Sequence, residues 1–205
     1  MKRILYLINL LAVIHSPSNE GGEEEPWEKK MDKNGIAVFT RKPEGSRIVG
    51  FKAISVIRNT TIQEIKEVIF NVEAFSTWIN DCKSSEILES INKENLIYHV
   101  LVRVPFPFDK RDMVQQMRVT QESETSVKIL LENKPDFAEK KHGIVRMPIA
   151  DGFWQLDALN DGEVKVEFEY FSDPGGGIPP WMINMFIVKS PYNTLYNLRD
   201  LVQAD

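Results

Sequence analysis

Glu163-Val164-Lys165-Val166-Glu167-Phe168-Glu169-Tyr170, then Asp173-Pro174-Gly175-Gly176-Gly177-Ile178-Pro179-Pro180, then the apolar run opened by Trp181 decide how this chain folds. The first segment alternates apolar and charged residues, the pattern of a β-strand with one dry and one wet face. The second is a breaker cluster. The third, Trp181 to Val202, reads as one long helix, with Trp181, Met185, Val188, Tyr192, Leu195, Arg199 and Val202 at helical spacing. Pro179 and Pro180 fit its first turn, where a missing N–H costs nothing. Its first half, to Val188, is apolar nearly all round and needs cover on more than one side. Pro191 falls inside the pattern and predicts a kink.

Further strands precede this ending. Ser85–Leu88, Leu96–Val104, Met113–Thr120, Val127–Leu131, and Ile144–Ile149 with Phe153–Ala158 are spaced closely enough for an antiparallel meander. Asp151-Gly152 and Asp161-Gly162 mark turns or bulges. Ahead of the meander, Thr61 and Glu64 form a capping box for a helix through Ile65, Val68 and Ile69. A shorter turn holds Phe75, Trp78 and Ile79. Earlier still, Ile36–Arg41 and Ile48–Ile57 read as strands. Trp27 and Met31, four apart, predict a short helix ending at Gly35.

The order is helix, two strands, a helical excursion, about six strands and a long helix. A sheet with one apolar face must cover that face, and only the last helix is large enough. The fold class is α+β, a curved antiparallel sheet of about seven to nine strands wrapped around that C-terminal helix. One helix cannot fill a broad concave surface, so a hollow for a small apolar ligand is expected.

Composition narrows the chemistry. The 205 residues carry 25 basic and 30 acidic side chains, a formal charge of −5, and hydrophobic residues make up 42%. An acidic chain with no basic run does not point to nucleic acid. Cys82 is the only cysteine, which excludes a disulfide framework and multi-cysteine metal sites; a small buried hydrophobe is its expected role. His15, His99 and His142 are scattered, so no metal ligand set and no cofactor is expected. Gly175-Gly176-Gly177 lacks the Gly-Lys-Ser/Thr ending of a phosphate loop and reads as a hinge. No nucleophile elbow or metalloprotease motif is present, and no catalytic residue is assigned.

Lys2 and Arg3 precede an apolar run from Ile4 to Ile14, with Ser16 and Ser18 placed for cleavage before Asn19. Residues 1–18 therefore read as a signal peptide, 19–26 as a linker and 27–205 as one ligand-binding domain. A periplasmic or secreted location follows.

Trp27, Asn34-Gly35-Ile36, Val38-Phe39 and Arg41, with Ser46 and Phe51-Lys52-Ala53, resemble the opening of START (steroidogenic acute regulatory-related lipid-transfer) domains. Val104-Pro105, Arg111-Asp112-Met113-Val114 and the ending Asp173-Pro174-Gly175-Gly176, Ile178-Pro179, Trp181 and Asn184 are similar to the same family. The resemblance implies a helix-grip fold and an internal cavity for a lipid, sterol or fatty acyl compound.

The expected ligand-binding residues are Arg103, Arg118, Trp154, Phe168, Tyr170, Trp181 and Met185. Arg103 or Arg118 would hold a ligand's polar end if its strand parity faced inward; the opposite parity is the more apolar. Trp154, Phe168, Tyr170, Trp181, Met182 and Met185 would line the hollow. Arg111-Asp112 reads as a structural ion pair. The expected partners are a lipid or other hydrophobic small molecule and, transiently, a membrane; a monomer is expected. Two other functions stay open: an aromatase/cyclase-like or hydrolytic enzyme in the same fold, drawing on His99, Arg103, Arg118 or Tyr170, and a solid-core partner-binding domain.

Overall fold

The computed structural model describes residues 26–42, 49–160, 162–179, 182–183 and 185–203, without the side chains of residues 160 and 185. The expected signal peptide and most of the linker lie outside them. The strands are β1 (Glu28–Lys33), β2 (Ile36–Arg41), β3 (Val49–Arg58), β4 (Cys82–Asn92), β5 (Asn95–Val102), β6 (Lys110–Glu122), β7 (Ser126–Asn133), β8 (Ile144–Arg146), β9 (Ile149–Asn160) and β10 (Glu163–Asp173). The helices are α1 (Ile62–Phe70), α2 (Phe75–Trp78) and α3 (Ser190–Val202), and a π-helical turn spans Met185–Lys189.

All ten strands form one curved sheet, ordered β1-β2-β3-β10-β9-β7-β6-β5-β4. The long β10 strand sits near the middle, pairing β3 on one side and β9 on the other. Its alternation holds: Val164, Val166 and Tyr170 are buried on the inner face. The meander has one departure. β8 runs parallel to β6 rather than continuing into β9.

Three local expectations are corrected. The segment read as a helix ending at Gly35 is strand β1, in a hairpin with β2. A spacing of four suits one face of an unbroken strand as well as of a helix; here a β-bulge between Lys29 and Met31 puts Trp27 on the outer face against Phe171 and Arg41 while Met31 packs on the core. Asn34 and Gly35 both have positive φ, 53° and 72°, as a two-residue hairpin turn requires. Gly152 lies inside β9 rather than in a turn. A Cβ there would strike the Glu169 carbonyl and Tyr170, so glycine permits close approach of β9 to β10. The final helix is not uniform: Pro191 falls in the first turn of α3, directly after the π-helical turn. Proline has no N–H to donate and crowds the carbonyl four residues back, and a wider turn relieves both.

Helix α1 has the expected capping box, with Thr61 Oγ1 accepting from Glu64 N at 3.2 Å and Glu64 Oε2 accepting from Thr61 N at 2.8 Å. Helix α3 packs on β2, β3, α1 and α2. Leu195 and Leu198 are fully buried there, each contributing roughly 1.5–3 kcal/mol. Polar ties fix its position: Asn197 Nδ2 donates to the Trp78 carbonyl at 2.9 Å, and Thr194 Oγ1 accepts from Asn80 N at 3.1 Å.

Candidate functional site: a cavity between sheet and C-terminal helix

The inner face of the sheet and the C-terminal segment do not close on each other completely. A cavity remains, with about 160 Å³ of space open to the centres of water molecules. One water needs ~10–15 Å³ by that measure, so this is no packing defect.

Its floor is aromatic. Trp154 on β9 and Phe168 on β10 are cross-strand partners, and their rings stack at 3.9 Å between centroids. Phe51 on β3 meets Phe168 edge-on at 5.1 Å, and Trp78 on α2 approaches Trp154 at 6.1 Å. Tyr170 continues the row on β10. All of these line the cavity, as do Met113, Met117 and Met147. Ile183, Phe186 and Ile187 close it from the C-terminal segment. Large rings supply flat apolar area, and thioethers adapt to a flexible chain.

Of the expected binding residues, the structure thus brings together Trp154, Phe168 and Tyr170. Trp181 and the Met185 side chain lie outside the described residues. Met182 is fully buried but is not among the lining residues. Arg103 and Arg118 are corrected: neither lines the cavity. Arg103 is exposed, and Arg118 is part-exposed, with Nη2 3.7 Å from Glu132. The reason is parity. Tyr98, Val100 and Val102 face inward on β5, and Arg111, Met113, Gln115 and Met117 face inward on β6.

Arg111 and Asp112 therefore do not form an ion pair with each other. Successive residues on a strand point to opposite faces. Asp112 faces outward, where Arg146 binds it through Nε at 2.8 Å and Nη2 at 3.0 Å, and His99 Nε2 lies 3.0 Å away. Arg146 also donates to the Pro135 and Ala138 carbonyls, so the chain between β7 and β8 is tied over this pair.

A polar relay crosses the cavity wall. The Tyr98 hydroxyl donates to Gln115 Oε1 at 3.0 Å. Gln115 Nε2 donates to the Ala150 carbonyl at 2.6 Å and to the Tyr170 hydroxyl at 2.9 Å. Tyr170 in turn donates to Met113 Sδ at 3.1 Å. Burial raises the pKa of both tyrosines, so both hydroxyls keep their protons at neutral pH. Gln115 and Arg111 escaped the sequence reading, yet the signal was present. They are the two polar residues from Arg111 to Val119 on the otherwise apolar parity of Met113, Met117 and Val119.

Among the described residues, no cluster of histidine, cysteine and acidic side chains could hold a metal ion. Cys82 is buried and lines the cavity.

A curved sheet closed by a terminal helix over an apolar cavity with a few convergent polar groups defines a binder of hydrophobic small molecules. The chain belongs to the START domain family, whose family model matches residues 17–204. An uncharacterised protein of Pseudomonas aeruginosa is 26% identical over 205 residues, covering 99% of each chain. The phosphatidylcholine transfer protein of Mus musculus is 24% identical over 198 residues, 94% of this chain and 88% of that protein. The crystal structure of a STAR-related lipid transfer protein fragment from Xanthomonas axonopodis matches with a TM-score of 0.77 at 28% identity, covering 86% of this chain and 98% of that one.

Proposed function

We propose that this protein is a non-catalytic lipid carrier, which takes a lipid into the cavity under its C-terminal helix and passes it between membranes. The observation that carries the reading is the aromatic and methionine-lined hollow between sheet and helix. The names of its relatives point the same way. Of the four groups that an enzyme here would draw on, His99, Arg103 and Arg118 are not cavity-lining residues. Tyr170 does line the cavity, but burial holds its proton, which unfits it as a base at neutral pH.

Membrane contact is supported by the connection between β5 and β6. Phe106 is 96% exposed, and it stands between the cavity-lining residues Val104 and Arg111. An aromatic side chain so placed suits insertion into an interface at the cavity's edge. The test is transfer of a fluorescent phospholipid between two vesicle populations. The purified protein should accelerate transfer, and Phe106→Ser should slow it several-fold while leaving the amount of lipid held per protein unchanged. No acceleration over vesicles alone would refute the carrier reading. Export is part of the proposal: the family match begins at residue 17, past the basic start and apolar run. N-terminal sequencing of the protein from its own cells should begin at Asn19; an intact Met1 would refute export.

A further inference from the structure

Within the cavity wall, one cation lacks an anionic partner among the described residues. Arg111 is 4% exposed and lines the cavity. Its Nη1 donates to the Asp109 carbonyl, and Nη2 makes a long contact of 3.4 Å with the Gly175 carbonyl. Its Nε is buried and has no hydrogen-bond partner. No carboxylate among the described residues forms a salt bridge with it, because Asp112 points the other way and is held by Arg146 and His99. Burial pulls the Arg111 pKa down, only partly opposed by the charge of Asp109, yet a guanidinium remains protonated. Carbonyl dipoles alone compensate a buried charge poorly; an oxyanion does so well, with two parallel hydrogen bonds.

Two further buried groups favour the same kind of ligand, and the carboxylate of the lining, Asp81, is already bonded by Asn80 and Ser190. Trp78 Nε1 is buried without a partner, and the Tyr170 hydroxyl donates only to a thioether, a weak acceptor. The amide of Gln115 is occupied at both ends. Arg111 Nε and Trp78 Nε1 are thus buried donors without acceptors. A sterol's single hydroxyl would leave the guanidinium uncompensated.

We infer that the ligand carries an oxyanion, a phosphodiester or a carboxylate, seated on Arg111 at the end of the cavity bounded by Asp109 and Gly175. Its acyl chains run toward Trp78, Trp154 and Phe168. This rests on the lipid-carrier reading and names the class of lipid. Arg111 is then the residue that sets specificity.

The test measures uptake of three pyrene-labelled lipids from neutral vesicles by the purified chain: phosphatidylglycerol, a free fatty acid and diacylglycerol, which shares the chains but has no oxyanion. At least one of the two anionic lipids should bind roughly tenfold or more tightly than diacylglycerol, the scale of one charge-assisted hydrogen-bonded contact. Whichever anionic lipid shows the margin identifies the oxyanion. Arg111→Gln should abolish the margin, with its circular dichroism and thermal unfolding showing that the variant is folded. Arg111→Lys should keep most of it. Equal affinity of the unaltered chain for all three lipids overturns the inference, without reliance on any variant, and leaves the carrier reading standing. A margin undiminished in Arg111→Gln also overturns it. Uptake of none of the three overturns both.

Discussion

Asp112 shows how one position couples the outer face of the sheet to its stability. Burial works to raise its pKa, but the hydrogen bonds from Arg146 and His99 outweigh it and hold the carboxyl below its ordinary range. A lowered folded pKa means that the carboxylate's stabilisation is present above the unfolded value, about 3.9, and is lost as pH falls through the folded one. Asp112→Asn should therefore cost roughly 3–5 kcal/mol at neutral pH, since it leaves the Arg146 charge buried and uncompensated. Urea unfolding at neutral pH and in acid should show the gap between the two proteins narrowing as pH drops. A gap of equal size at both would mean that the ionised pair is not its source. The two residues of Arg111-Asp112 look alike in the sequence as a local ion pair. Only strand parity sends one to the cavity and the other to the outer face, and that parity was readable from Met113 and Met117 on the same strand.

At the scale of elements, the legible parts were those whose signal lay within the segment itself. The alternation of β10 and the capping box of α1 needed no distant partner. The β1 segment was misread because its spacing suited two periodicities, and only pairing with β2 across Asn34-Gly35 decides between them. The C-terminal helix was legible as helix, but the π-helical turn before Pro191 follows from how the chain absorbs a proline, which spacing does not show. This segment closes the cavity, and Gly175 and Gly176 ahead of it hold positive φ of 65° and 62°. We propose that it swings aside to admit ligand, since a lipid cannot pass through packed side chains. Asn80 and Thr194 touch where α3 meets the end of α2. In a Cys82→Ser background, a disulfide between Asn80→Cys and Thr194→Cys should stop both loading and release of lipid, and reduction should restore them. Unchanged exchange in the oxidised protein would show that α3 stays in place.

For the whole molecule, the hollow follows from one imbalance: a broad apolar sheet face that α1, α2 and the C-terminal segment together do not cover completely. That imbalance was visible in the order of elements. The polar lining was less so, because Tyr98, Gln115 and Tyr170 come from three strands and meet only once the sheet is assembled. The account stands on the claim that the hollow holds a lipid. Native mass spectrometry of the protein incubated with phospholipid vesicles and then separated from them tests it most directly. The account predicts a species heavier than the bare chain by one lipid, released on denaturation and identifiable in the extract. A spectrum with only the bare chain, at every lipid concentration tried, would contradict it.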